Sequence, residues 1–178
     1  GDEHPDTLAA LHNLASQQTK LRTKRIDDLR KNGQHQQIGI LLSEKLDQWR
    51  QLQRVYGDSY KLQCQLQLFD LHYRLATQLC GDGQHDISSD HFLEAAKVFN
   101  QLTEDTEILI QAVVGYLKLN NHALPKNRED TSGPEATLRD LVVRNLEPLI
   151  ADARRKVEKS PNTFDAWEQW SLIAMNHY

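Results

Sequence analysis

Histidine, cysteine and carboxylate side chains are the groups in this sequence that could perform catalysis or hold a metal. The densest cluster is His85, Asp86, Asp90 and His91, and Cys80 lies five residues before His85. A metal site needs several deprotonated ligands that converge, and no pair of the eight histidines has the spacing typical of a zinc hydrolase. A cysteine nucleophile needs a third orienting group and an oxyanion site, and the sequence indicates neither. We therefore predict no catalytic residue, no metal site and no cofactor, and expect that the chain is not an enzyme.

The two cysteines, Cys64 and Cys80, fall within one predicted helix. At about 1.5 Å rise per residue they are roughly 24 Å apart, which is too far for a disulfide. Reduced thiols are typical of cytoplasmic or nuclear proteins. We therefore predict one of these two locations.

Charge bears on the class of partner. The formal net charge of the 178 residues is −4, so no global field favours nucleic acid or an anionic membrane. No apolar run approaches the roughly 18 residues that a membrane helix needs, and we predict no membrane association. One local basic segment stands out, and a solvated helix face is its simplest interpretation; it comprises Lys20, Arg22, Lys24, Arg25, Arg30 and Lys31. A phosphate or acidic-peptide site is the alternative.

Strand signals are almost absent, whereas the helix formers Leu, Gln, Ala, Glu, Lys and Arg dominate. We predict an all-α fold with seven helices, at about 5–31, 35–56, 60–80, 89–102, 104–119, 135–159 and 163–178. Ser88 or Ser89 is expected to cap the fourth helix. Pro148 predicts a kink near Asn145, or a break, in the sixth. Residues 124–134 hold two prolines and a glycine, which indicates a mobile linker between helices at 1–123 and further helices at 135–178.

Two segments of the sequence recur with an offset of fifty residues. Gly33-Gln34-His35 ends the first predicted helix, and Gly83-Gln84-His85 ends the third. Glycine is the preferred residue just after a helix. The recurrence predicts two similar helical hairpins, each longer than the common repeat of about 34 residues.

The first fifteen residues, GDEHPDTLAALHNLA, combine a Gly-x-x-His-Pro-x-Thr turn with a Leu-x-Asn-Leu-Ala helix. This segment resembles the start of a tetratricopeptide repeat of the kinesin-light-chain type. The stretch from Glu158 through Pro161 to Trp167 is similar to a junction between such repeats. The resemblance implies antiparallel helical hairpins stacked in an α-solenoid. The final helix has no following partner, so we expect the chain to be a piece of a longer protein.

The resemblance also implies a binding residue. In kinesin-light-chain repeats the Asn of the Leu-x-Asn-Leu-Ala element faces a concave groove and hydrogen-bonds an extended peptide. Asn13 matches that position, and an amide both donates and accepts hydrogen bonds. Gln17, Lys20 and Arg25 complete the predicted partner-binding set on the same helix.

We therefore predict a scaffold or adaptor segment that binds a peptide or helix of a protein partner, as a monomer or with weak self-association through its exposed ends. One alternative is the helical-repeat regulatory region of a large enzyme, kinase-like or protease, whose catalytic domain lies outside this chain. A second alternative is a helical-repeat protein associated with chromatin or nucleic acid through the basic segment.

Overall fold

A computed structural model describes residues 5–55, 60–123 and 133–159. These residues form helices without any strand, which confirms the all-α class. The helices are α1 (Pro5–Lys31), α2 (His35–Val55), α3 (Lys61–Gly81), α4 (His85–Leu102), α5 (Thr106–Ala123) and α6 (Pro134–Lys159). The seventh predicted helix lies outside the described residues. Within the described part, no helix is long and apolar enough to cross a bilayer.

The first four helices are joined in pairs by two turns of the same construction. Gln34 N donates to Leu29 O at 2.9 Å and Gln84 N donates to Leu79 O at 2.8 Å. The preceding glycines, Gly33 and Gly83, have φ of 70° and 78°. Together with the bonds from each glycine N–H, this pattern is the Schellman motif, in which a left-handed residue lets the chain satisfy the last helix carbonyls. The recurring Gly-Gln-His segments thus close two hairpins in the same way.

We expect Gly83→Ala to reduce the free energy of unfolding by roughly 1 kcal/mol, because a left-handed backbone costs an L-residue about 1–2 kcal/mol and a stiffer unfolded chain offsets part of that cost. A Cβ at this position meets nothing within 4 Å, so backbone strain is the whole native-state penalty. Gly39→Ala is the matched control. It lies inside α2, also in open space, and should stabilise by about 0.5–1 kcal/mol. Urea unfolding that gave both variants the same sign would contradict this account.

The fifty-residue periodicity extends beyond the two turns into α6. The buried positions of α2, α4 and α6 recur at the same spacing, four, four and three residues apart. They are Ile38, Leu42, Leu46 and Trp49; then Ser88, Phe92, Ala96 and Phe99; then Leu138, Val142, Leu146 and Leu149. Positions 4, 4 and 3 apart fall on one face of a helix, so three helices bury equivalent faces.

Helix α3 lies at the centre of the structure and packs against α2, α4 and α5, while α6 packs mainly on α4. One apolar core, which includes Phe69 and Phe99 with ring centroids 5.3 Å apart, joins α3 to α4, α5 and α6. A second core joins α3 to α1 and α2 and includes Trp49 and Leu71. Because α3 contributes to both cores, few of its positions are exposed, and polar residues such as Gln65 and His72 are buried in it.

Several predicted helix ends differ from the structure. Helix α4 begins at His85 rather than Ser89, and Ser88 lies inside it, where its hydroxyl donates to the carbonyl of Ala76 at 2.8 Å. A serine buried against a neighbouring helix is not available as a cap. Helix α5 begins at Thr106, with the Asp105 carboxylate accepting the Ile108 N–H at 3.0 Å, and continues to Ala123. The predicted bounds of this helix, 104–119, therefore lie two residues too early at its start and four too early at its end.

The predicted break at Pro148 does not occur, because α6 runs continuously from Pro134 to Lys159. An interior proline removes one backbone hydrogen bond and costs about 3 kcal/mol. Leu146 and Leu149 are buried on either side of Pro148 and hold the helix in place. Pro134, placed in the linker by sequence, is the first residue of α6, where a missing N–H costs little. The rest of the predicted linker, 124–132, lies outside the described residues.

Candidate partner-binding site

The two repeated turns border one cavity of about 550 Å³, which we call the turn cavity. Side chains from α1, α2, α3 and α5, together with the residues of the second turn, surround it. Its lining residues are Ile26, Arg30, His35, Ile38, Leu42, Tyr73, Arg74, Thr77, Gln78, Gly81, Asp82 and Leu119. The residues that flank the first turn, Arg30 and His35, and Asp82 of the second turn therefore lie at the same end of the structure.

The floor of the turn cavity is apolar. Ile26, Ile38 and Leu42 are at most 3% exposed and belong to the core shared by the first three helices. Tyr73 is also buried, and its ring centroid lies 4.9 Å from that of Tyr116. Burial raises the pKa of the Tyr73 phenol, so the ring remains uncharged at neutral pH. An apolar side chain of a ligand would therefore find a preformed apolar surface here.

The rim of the turn cavity is polar and already partly ordered. Arg74 Nε lies 2.9 Å from Asp70 Oδ2, and the amide of Gln78 donates to the Asp82 carboxylate at 3.1 Å. The hydroxyl of Thr77 donates to the carbonyl of Tyr73 at 2.9 Å. Side chains held in this way lose little further rotamer entropy when a ligand binds. An apolar floor with a few fixed polar groups at its edge is the usual composition of a binding site.

The four predicted partner-binding residues lie elsewhere on α1. Asn13, Gln17, Lys20 and Arg25 are all exposed, and none is among the lining residues of the turn cavity. Asn13, Gln17 and Lys20 follow i, i+4, i+7 spacing and so share one face of the helix. Helix α1 lines the cavity instead with Ile26 and Arg30. The binding role of the four residues remains a prediction.

The basic segment does not form one solvated face. The side chain of Arg22 is 2% exposed, and its Nη2 lies 2.8 Å from Asp70 Oδ2 on α3. Desolvation lowers the pKa of Arg22, and the carboxylate of Asp70 acts in the opposite direction. Arg30 pairs with Asp27 at 3.6 Å on the surface. Two of the six cations are therefore engaged within the chain, which reduces the positive charge available to a phosphate backbone.

The histidine-rich cluster at the start of α4 is divided between two neighbours. His91 Nδ1 lies 2.9 Å from Nδ1 of His72, a buried residue of α3. His85 Nδ1 lies 3.8 Å from Cys80 Sγ. In the part of the chain that the structure describes, no group of three or more His, Cys, Asp or Glu residues could hold a metal ion. Cys64 and Cys80 both lie on α3, as predicted.

Burial lowers the charge that the histidine pair can carry. Burial is the main cause that lowers the pKa of His72 to about 4, and His91 and Arg50 act in the same direction. Burial and Arg50 lower the pKa of His91, while Asp90 and Glu94 oppose them. At neutral pH both rings are therefore uncharged, and one Nδ1–H donates to the other ring.

Sequence reasoning did not identify most residues of the turn cavity. Tyr73, Arg74 and Leu119 give no local signal of a site, because their meeting depends on the packing of α3 against α5. The recurring Gly-Gln-His segments were the one usable signal, since they mark the turns beside which the cavity lies.

Comparison with known proteins adds no identification: no family model matches the chain, and no curated protein or solved structure is significantly similar to it.

Proposed function

We propose that this chain is a protein–protein interaction module that binds an apolar side chain of a partner peptide or helix in the turn cavity. The observation that carries the proposal is a cavity of about 550 Å³ with an apolar floor and an ordered polar rim, at the meeting point of two hairpins. Grooves between helices are a recurrent way to bind an amphipathic or extended segment.

The proposal includes a tetratricopeptide-like stacking of the hairpins. The equivalent buried faces of α2, α4 and α6, fifty residues apart, support it. So do the two identical Schellman turns. Stacked hairpins produce an extended surface rather than a single deep pocket. In this arrangement a peptide anchored in the turn cavity continues along the exposed face of α1 that carries Asn13, Gln17 and Lys20.

Selection from a random peptide library displayed on phage, with the full chain immobilised, tests the proposal. Selected peptides are then synthesised and their affinities measured by fluorescence anisotropy. Gln78→Trp places a large ring at the cavity edge and should weaken binding at least tenfold. Gln51→Trp is the matched control, because Gln51 is exposed on α2 and does not line the cavity. Circular dichroism and thermal unfolding establish that both variants remain folded.

The extension along α1 has its own test. Asn13→Ala should weaken a selected peptide about fivefold, since one net hydrogen bond contributes about 1 kcal/mol. An unchanged affinity would confine the binding surface to the turn cavity. If the library yields no peptide of measurable affinity, or if Gln78→Trp binds as well as Gln51→Trp, the proposed function is wrong.

A further inference from the structure

A second cavity, of about 800 Å³, lies where α3 begins, α4 ends and α5 begins. We call it the polar cavity, and its lining differs from that of the turn cavity. The residues that matter for its chemistry are Tyr60, Gln65, Gln101, Glu104, Asp105 and Glu107. It shares no lining residue with the turn cavity.

Two buried polar atoms at this cavity lack a hydrogen-bond partner among the residues that the structure describes: Oε1 of Gln65 and the hydroxyl of Tyr60. Gln65 is 2% exposed, and its side-chain nitrogen donates to Oε1 of the exposed Gln101. An unsatisfied buried polar group costs about 1–3 kcal/mol, and such groups are rare in folded proteins. The unsatisfied Oε1 of Gln65 is therefore a candidate acceptor for an N–H donor of a ligand in this cavity.

The lining combines three carboxylates, which only accept hydrogen bonds, with glutamine amides, which both donate and accept, and the ammonium of Lys61, which donates. Gln65 presents a carbonyl oxygen, and Glu104, Asp105 and Glu107 present carboxylates. Asp105 uses one oxygen to accept the Ile108 N–H, which leaves the other available. Burial raises the pKa of Tyr60 to about 12, so its phenol is uncharged at neutral pH. A complementary ligand carries several N–H donors.

The charges favour a cation over an anion. Three carboxylates and the ammonium of Lys61 line the cavity, which gives a formal charge of −2. The first turns of α3 and α5 border the cavity, and each helix N-terminus contributes about +0.5. The C-terminus of α4 also borders the cavity and contributes about −0.5, so the remaining charge is about −1.5. Lys61 is exposed and long enough to turn its ammonium toward solvent.

We propose that the polar cavity binds a guanidinium or primary ammonium group. The carboxylates and the Gln65 carbonyl accept its N–H bonds, and the space beyond accommodates an alkyl chain. A free polyamine and the side chain of a partner's arginine or lysine share this chemistry. The site is independent of the proposed peptide-binding function, because the two cavities have separate linings.

Titration of the full chain with N-acetyl-arginine amide, spermidine and N-acetyl-citrulline amide, followed by amide NMR shifts, tests the proposal. Citrulline keeps the shape of arginine without its charge. We expect saturable shifts at Gln65, Glu104 and Glu107 with the first two ligands and none with citrulline. Tighter binding of spermidine indicates a free polyamine, whereas tighter binding of the arginine amide indicates a basic side chain.

Gln65→Leu removes the buried acceptor and Tyr60→Phe removes the hydroxyl with little change of shape. Each should weaken binding of the preferred cation at least fivefold, and Glu104→Gln with Glu107→Gln should abolish it. Glu44→Gln, an exposed carboxylate of α2, is the control for general charge. Equal binding of citrulline, shifts that map outside the polar cavity, or an unchanged affinity in all of these variants would overturn the proposal.

Discussion

Asp70→Ala is expected to lower the free energy of unfolding by about 3–5 kcal/mol, because it leaves the buried guanidinium of Arg22 without its counter-charge. The Arg22 side chain is 2% exposed, and its Nη2 lies 2.8 Å from Asp70 Oδ2. Among the described residues its Nε has no hydrogen-bond partner, so Asp70 provides the counter-charge that compensates for burial of the guanidinium. Asp70 also binds Arg74, whose side chain reaches the rim of the turn cavity.

Urea unfolding at pH 7 measures the effect, with Asp27→Ala as the control. Asp27 forms an exposed pair with Arg30 on the same helix, α1, and its loss should cost no more than about 1 kcal/mol. Arg22→Met should cost less than Asp70→Ala, since methionine fills the buried space and Asp70 keeps Arg74 as a partner. A loss below 1 kcal/mol for Asp70→Ala would show that water reaches Arg22 and that the pair is not buried in solution.

The pair also contributes to the attachment of α1, together with the apolar core that includes Ile26 and Leu29. Helix α1 contacts α3 through Arg22 and Asp70, and through the hydroxyl of Thr19, which lies 3.3 Å from Gln67 Oε1. Because Ile26 and Arg30 of α1 line the turn cavity, a loosened α1 would change the site as well as the stability. Peptide binding by Asp70→Ala should therefore fall together with the unfolding free energy.

Features determined by neighbouring residues could be predicted from the sequence. The bounds of α1 agree with the prediction, and those of α2 and α3 agree within one residue. Each turn was marked by a glycine after the helix, and both glycines have the left-handed backbone that favours this residue. Helix periodicity and C-terminal glycine act over a few residues, so one sequence is sufficient to recognise them.

Features that depend on distant partners could not be predicted. Arg22 belongs to a basic run along the chain, yet its counter-charge is 48 residues away. His91 belongs to a cluster of polar residues along the chain, yet its partner His72 is 19 residues earlier on another helix. Ser88 looked like a cap because caps favour serine, but the packing of α4 on α3 buries it. In each case tertiary contact overrode a local preference.

The structure also redirects the search for a binding site. The sequence directed attention to Asn13 and its face of α1, where resemblance supplied a role for one residue. The turn cavity instead draws on four helices and the second turn, and its apolar floor consists of ordinary core residues such as Ile38 and Leu42. The spacing of apolar residues along the sequence cannot reveal such a cavity, because the residues that line it are of the same types as those of the core.

Acidification is expected to destabilise the chain through the histidine pair. Burial lowers the pKa of His72 to about 4 in the folded chain, from the ordinary value of 6.5. The unfolded chain therefore binds more protons between these values, and stability must fall as the pH falls. The neutral His72 ring contributes fully to the free energy of unfolding above pH 6.5. That free energy falls by about 2 kcal/mol at pH 5 and by about 3 kcal/mol below pH 4. His91, whose pKa is also lowered, acts in the same direction.

Urea unfolding at pH 7.5, 6 and 5 tests this expectation, since most carboxylates remain ionised down to pH 5. His72→Gln removes the titrating ring and should abolish most of the change in the free energy of unfolding between pH 7.5 and 5. His35→Gln removes an exposed histidine of α2 and should leave that dependence unchanged.

The groups that face the pair are Arg50 of α2 and the carboxylates Asp90 and Glu94 of α4. Arg50 disfavours protonation and the carboxylates favour it. If stability does not change between pH 7.5 and 5, the carboxylates offset the cost of burial, and the pair accepts a proton without disturbing the packing of α3 on α4.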